Sequence, residues 1–530
     1  LNHRHVVAVA FLVQVMTPVL ACSRVTEGSA SQGSLAAGSD AGLVPHAAPV
    51  SVVAHHNSAK RTGSYVQAGL NRARAASLHL DTSFAAAFTG VVHSQPLYVT
   101  DGPGARGTFY VVTEANDLHA IDEATGGVVW TRNFGSPADN ESAACAAKFT
   151  PIGITGTPVI DEVTRTLYVD SVLGTGSPGA RVTSTHLVHA VSIDDGAERA
   201  GWPVDPRGLT SNGHTFDPTV QHQRGALLLA EGMLYVPYGS IGDCGDYHGW
   251  IVGIPVAAPA GASAYATPGK ASGMWAPSGI AYDEGSLFVA TGNSDDDEGA
   301  WAGGEAVLRF PAGVTLPPSP SDVYAPANWH DLDEGDVDLG GSGVTLIDMP
   351  GSTPTEVALA LGKDGIAYLL DQHDMGGVGG VALATLSIMT HDIVTAPAAF
   401  TTAKGTFVAV DGQSGGVGVG CPAGQAGDLV VMQIVDGSPP ALKVAWCASN
   451  GGHGSPMVTT TDGISDPIVW ISGDSSGALH GYDADTGNLL FDGGDETQRV
   501  SGLRRFNTVI AVNDRIVVAG DNGLHAFTPF

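Results

Sequence analysis

Residues 331–340 read "DLDEGDVDLG", in which Asp331, Asp333, Asp336 and Asp338 alternate with turn-forming residues. Clustered carboxylates suit Ca²⁺, which gathers about six to eight oxygen ligands. The run lacks the ordered Asp-x-Asp-x-Asp-Gly…Glu spacing of an EF-hand loop. A second acidic run, "NSDDDEG" (293–299), offers the same chemistry. The alternative for both is a solvated loop between elements. Trp250, Trp275, Trp301 and Trp329 fall near expected loops, where a flat ring either floors a ligand or packs between elements. No Gly-x-Ser-x-Gly elbow sits in a strand–turn–helix setting. No phosphate-cradling glycine pattern follows a strand and opens a helix.

Histidines invite a metal reading that their placement opposes. His119, His189, His480 and His525 occupy one slot in repeated units, so they spread apart rather than converge. His55 and His56 are expected in solvent, beside the end of the N-terminal tether. Cys145, Cys244, Cys421 and Cys447 are isolated, with no CxxC spacing for a metal finger. In an exported protein they allow three disulfide pairings. Cys421 with Cys447 spans the shorter loop and Cys145 with Cys244 would complement it; the sequence leaves the choice open.

The elements that must position these side chains are written twice. Residues 118–130 read "LHAIDEATGGVVW" and residues 479–491 read "LHGYDADTGNLLF". Each is a strand, a tight turn and a return strand. Asp122 and Thr125 can bond turn N–H groups, Gly126 supplies a positive φ, and Ala120 leaves room for a neighbour. Trp130 needs a surface to pack on. The second copy keeps Asp483, Thr486 and Gly487 and puts Phe491 in the Trp slot. Worn copies lie at 187–196 and 523–530.

A strand pair precedes each copy, as in "HSQPLYV" then "GTFYVVTE", and eight such openings follow one another along the chain. Strand-rich units at regular spacing predict a β-propeller of four-stranded antiparallel blades. We count eight blades; the irregular unit around residues 338–392 makes seven the alternative. The last unit is one strand short, and "SLHLDTSFAAAFTG" (77–90) can supply it. The ring then closes with both termini in one blade, removing the open sheet edge.

The pattern Ala120, Asp122, Thr125, Gly126 and Trp130 resembles the tryptophan-docking repeat of the pyrroloquinoline quinone (PQQ) dehydrogenases. "RTGSYVQAGL" (61–70), "GITGTPVID" (153–161) and "GKDGIAYLLD" (362–371) extend the resemblance over about residues 55–530. It implies a propeller with PQQ across its axis on an aromatic floor, Ca²⁺ at the quinone and an Asp as base. By that likeness Lys363 and Trp275 are the cofactor-binding candidates, and Asp331, Asp333, Asp336 and Asp338 the metal candidates. Two departures stand out. There is no adjacent Cys pair to form a lid, and Gln372 stands where the family often has Arg.

Residues 1–21 resemble an export signal: Arg4 precedes an apolar run too short to span a bilayer. "VLAC" resembles a lipobox that would make Cys22 a lipidated N-terminus. Residues 22–54 then read as a Ser/Gly/Ala-rich tether and 55–530 as the propeller. With 53 acidic and 23 basic side chains, the net charge of −30 excludes nucleic-acid binding as a function class. The expectation is a monomeric cell-envelope scaffold, touching membrane only through its anchor. It would bind an envelope protein or a small polar ligand, and the alternative is a PQQ- and Ca²⁺-dependent alcohol or sugar oxidoreductase.

Overall fold

The computed structural model describes residues 50–140, 150–240, 242–295, 299–313, 316–317, 319–413 and 416–530. Middle strands such as Thr108–Val112 ("TFYVV") are β-branched and aromatic and buried at every position. A strand apolar on both faces must be covered on both, and neighbouring sheets do this here. Blade 1 is an antiparallel meander of Leu97–Val99, Thr108–Val112, Asp117–Asp122 and Val128–Asn133. Seven further blades follow. They open with Val159–Asp161, Leu228–Ala230, Ala281–Asp283, Gly343–Asp348, Ala398–Thr402, Met457–Thr460 and Ile510–Val512. The protein is an eight-bladed β-propeller.

The docking repeat joins neighbouring blades. Trp130 of blade 1 donates its indole N–H to the Ile193 carbonyl of blade 2 (3.3 Å), and a Cβ on Gly196 would sit 3.0 Å from its ring. Trp446 of blade 6 does the same to Ala484 of blade 7 (2.8 Å), with Gly487 against its ring. The glycine is thus needed for contact as well as for its φ of 75°. Asp122 holds its turn by accepting from Thr125 N (3.0 Å) and Thr125 Oγ1 (2.8 Å).

Closure follows the expected route. Leu78–Leu80 and Ala86–Ala87 both pair antiparallel with Gly523–Pro529, completing blade 8. Gly126 has φ 73°, and a Cβ there would meet Ala86 N at 2.6 Å, inside this latch. Gly126→Ala is therefore expected to cost about 2 kcal/mol in urea unfolding, as a strained residue pressed against immovable backbone.

Two units differ from the sequence reading. In blade 5, "GIAYLLD" does not directly follow the opening strand: Glu356–Leu361 is the second strand and Ile366–Asp371 the third. "EVALAL" has Ala and Leu where other second strands carry aromatic and β-branched residues, so its strand signal is weak. Blade 2 has three sheet strands, with isolated bridges from Val188 to Val204 and from Val191 to Glu198 at its edge. Cys421 and Cys447 are disulfide-bonded to each other in blade 6. Cys244 is also disulfide-bonded, and Cys145 lies outside the described residues. Cys22 and the expected signal segment lie outside them too.

The N-terminal segment is built into the ring as a strap that meets the blades in order. Val52 exchanges backbone hydrogen bonds with Tyr98 of blade 1, and the Val53 carbonyl accepts from Ile160 N of blade 2. Arg61 reaches Leu227 O of blade 3 (2.9 Å). The carbonyls of Ala59, Lys60, Thr62 and Gly63 accept from Tyr282, Leu346, Ala399 and Val458 of blades 4 to 7. Ser64–Val66 runs parallel to the inner strand of blade 7, and Gly69 N donates to Asp514 of blade 8 (2.8 Å). Among the described residues these contacts begin at Ser51, whose Oγ accepts from Thr100 N (3.1 Å), within the stretch that composition assigned to the tether.

His55 and His56 are correspondingly not in solvent. They are 2% and 0% exposed, their rings stacked at 4.5 Å. Burial is the main force that lowers both pKa values, His56 to about 4, and in His55 the charges of His56 and then Arg61 add to it. The other slot histidines pack as expected. His119 stacks on Phe88 and bonds Thr131, while His189 contacts Phe134 and Glu198.

Candidate functional site: the axial cavity

Segments leading into the inner strands of several blades converge where only a ring axis can bring them together. His93, Thr155, Arg224 and Trp275 come from the approaches to blades 1 to 4, and Phe506 from that to blade 8. Lys363 comes from the turn between the second and third strands of blade 5. Together they line a cavity of about 300 Å³. The inner strands run from this cavity towards the strap, which closes the axis at the other end.

Trp275 is the hub. The Arg224 guanidinium lies 4.5 Å from its ring centroid and the Lys363 ammonium 5.7 Å. Each such contact is worth about 0.5–2 kcal/mol, more as water is removed. Lys363 donates to Asp336 Oδ1 (2.8 Å) and to the Asp336 carbonyl (3.1 Å), and pairs with Asp338. Burial alone would lower the Lys363 pKa, but the pull of Asp338 and Asp336 outweighs it and raises it. Lys363 is therefore a fixed cation at neutral pH.

The four candidate metal ligands take separate tasks. Instead of an extended acidic loop, residues Trp329–Gly335 form a helix, ended by Asp336 in the left-handed region at φ 51°. Asp331 is exposed on that helix. Asp333 accepts from Ser294 N (2.7 Å) and Ser294 Oγ (2.9 Å). Asp338 is buried and accepts from Asn293 N (2.7 Å) as well as holding Lys363. Among the described residues, no group of three or more His, Cys, Asp or Glu side chains is placed to hold a metal ion.

Of the four tryptophans considered, only Trp275 lines this cavity. Trp250 is a fully buried strand residue packed edge-on against Phe216. Trp301 bonds Gly304 O (2.7 Å), and Trp329 begins the short helix. The structure adds groups that spacing did not reveal: Arg224, His93, Arg505 and, behind Asp338, Glu305. Glu305 is wholly buried; one oxygen accepts from Leu339 N (2.5 Å) and the other has no partner. Burial and the Asp338 charge push its pKa up to about 10 against the pull of Leu339 N, so it is a neutral acid at pH 7. An acid directly before the apolar strand Val307–Pro311 was the one available signal.

No family model matches the chain, and no curated protein does. Solved structures do. Quinohemoprotein alcohol dehydrogenase from Comamonas testosteroni superposes with a TM-score of 0.59 at 14% identity, covering 90% of this chain and 80% of its own. The chain shares the quinoprotein dehydrogenase fold. A second quinohemoprotein alcohol dehydrogenase, from Pseudomonas putida, gives 0.60 at 13% identity with the same coverage. A europium-containing methanol dehydrogenase gives 0.57 at 12%, covering 89% and 90%. At such identities the likeness concerns the propeller.

Proposed function

We propose that this quinoprotein-fold propeller binds a small planar molecule bearing carboxylates in its axial cavity. The observation that carries the reading is the Arg224–Trp275–Lys363 stack within a cavity of about 300 Å³. A flat aromatic face rewards a planar ligand, and guanidinium groups match carboxylate geometry. Arg505 adds a third cation to the lining, notable in a chain of net charge −30. Asp243 and Asp392 also line the cavity, so the ligand offers hydrogen-bond donors as well.

Calorimetry with pyridine-2,3-dicarboxylate and with PQQ tests this, uncharged glucose serving as contrast. Saturable binding of at least one planar acid is expected, weakened about tenfold in Trp275→Leu or Lys363→Met, the equivalent of about 1.4 kcal/mol. No heat from either acid, or equal binding of glucose, would sink the reading.

A second reading, a quinoprotein oxidoreductase acting on an alcohol or sugar, is favoured by the meeting of Lys363, Trp275 and Asp338 at one cavity. PQQ would supply two-electron redox chemistry there. Trp275, Arg224 and Lys363 would hold its ring and carboxylates. The donor set fits the quinone better than it fits Ca²⁺. The carboxylates of Asp336 and Asp338 are already paired with Lys363, whose ammonium a divalent ion would have to displace. Dye reduction with PQQ, with and without Ca²⁺, separates a redox enzyme from a binding protein.

We place either activity in the cell envelope, with Cys22 as lipid anchor. Mass spectrometry of membrane fractions showing unmodified Cys22 would remove the anchor.

A further inference from the structure

Beneath the axial cavity lies a smaller well of about 20 Å³, large enough for one water molecule or one ligand oxygen. His93, Thr155, Arg224, Trp275 and Phe506 line both spaces; His55, Thr157 and Pro277 line the well alone. His55 arrives from the opposite end of the axis, carried in by the strap. Its ring is held between His56, stacked at 4.5 Å, and the Thr508 hydroxyl, 3.4 Å from Nε2. Nδ1 is buried and makes no hydrogen bond.

A buried polar nitrogen without a partner loses its hydration for nothing unless something occupies the space beside it. The well offers that space. No carboxylate is among its lining residues, whereas two hydroxyls and a guanidinium are. Thr157 Oγ1 already accepts from Gln95 N (3.0 Å), so its own proton is available to donate. A well rich in donors and free of acids takes an oxygen acceptor.

We propose that His55 is a ligand-binding residue of the axial site, acting through one water. Thr508 Oγ1 donates to Phe506 O (3.2 Å), so Nε2–H of His55 donates to that hydroxyl and Nδ1 is left as an acceptor; one water in the well bridges Nδ1 to the deepest carboxylate or carbonyl oxygen of the ligand and so clamps the strap on ligand binding. The assignment rests on the axial cavity being a binding site for a planar acid. The strap then reports occupancy, because a bond to His55 stabilises the seated segment by mass action.

The test uses PQQ and pyridine-2,3-dicarboxylate as probes on the full-length protein. In the wild type, amide exchange in peptides covering residues 51–63 is expected to slow when a probe saturates. His55→Leu is expected to weaken probe binding tenfold or more, and His55→Gln, whose side-chain oxygen can accept from the bridging water, to stay within about threefold of wild type. Probe binding indifferent to both variants, with strap exchange unchanged in the wild type, overturns the role of His55 alone. Absence of binding in the wild type overturns the axial ligand and this assignment with it.

Discussion

An Arg61→Ala variant is expected to lose about 4 kcal/mol of unfolding free energy, enough to loosen the whole strap. Arg61 is completely buried and has no carboxylate partner among the described residues. Its Nε donates to Ile280 O (3.0 Å), Nη1 to His55 O (3.2 Å) and Nη2 to Leu227 O (2.9 Å). One side chain thus ties the strap to blades 3 and 4 and to itself. Burying the charge is costly, and desolvation lowers its pKa to about 9, still charged at neutral pH. Three hydrogen bonds from a cation, each worth about 1.5–3 kcal/mol, offset that cost. Removing the side chain relieves the burial cost but leaves three buried carbonyls and a hole behind. Unpaired buried acceptors cost about 1–3 kcal/mol each, so the loss exceeds the relief. Arg61→Met separates the two causes, because it fills the hole but satisfies no carbonyl. It is expected to recover less than half of the loss in urea titration. A stability change under 1 kcal/mol in Arg61→Ala would show that water replaces the guanidinium without penalty.

The same residue marks where sequence reading stopped. Arg61 stood inside a recognised phrase, "RTGSYVQAGL", yet nothing in its neighbours says that it crosses the axis. The turn chemistry of Asp122, Thr125 and Gly126 is local, so it could be read directly; so could Trp130, whose bulk demanded a partner. Even there the partner was invisible, since Gly196 and Ile193 lie in another blade. Lys363 and Trp275 were identified through resemblance and do meet at the axis. Arg224 and Glu305 were not, because long-range burial decides their chemistry and a single sequence carries no record of it. His55 and His56 show the error in its plainest form. Position beside a Ser/Gly/Ala-rich tether suggested solvent, but the strap hydrogen-bonds each successive blade and draws both rings inside. Asp331 and Asp333 were grouped with Asp336 and Asp338 by spacing along an assumed loop. A helix of seven residues rotated them apart.

Strap and latch close the ring in different ways, and the difference bears on the cavity. The latch pairs the outer edge of blade 8, and none of its paired residues is among those lining the axial site. The strap runs across the axis and supplies part of the wall beneath it. Perturbing the latch at Gly126 should therefore lower stability with ligand contacts kept, whereas Arg61 substitutions should weaken both.

Glu305→Gln is expected to stabilise the protein by about 3 kcal/mol at pH 7 and by almost nothing near pH 4.5. The folded-state pKa of Glu305 is raised to about 10 from an ordinary value of 4.5. Between those values the folded chain keeps the proton and the unfolded chain releases it. A raised pKa means that the folded state binds more protons, so stability falls as pH rises through this window. The slope is about 1.4 kcal/mol per pH unit, giving about 3 kcal/mol between 4.5 and 7. Glutamine has no proton to lose and keeps an oxygen for Leu339 N. Its amide can also place a donor where the second oxygen of Glu305 lacks a partner. Comparing urea midpoints of wild type and variant from pH 4.5 to 8 isolates this group, since other titrations largely cancel in the difference. A gap that stays flat across that range would mean that Glu305 is ionised in the folded protein. A third anion would then act on the Lys363 ammonium beside Asp336 and Asp338, which works against a planar acid ligand.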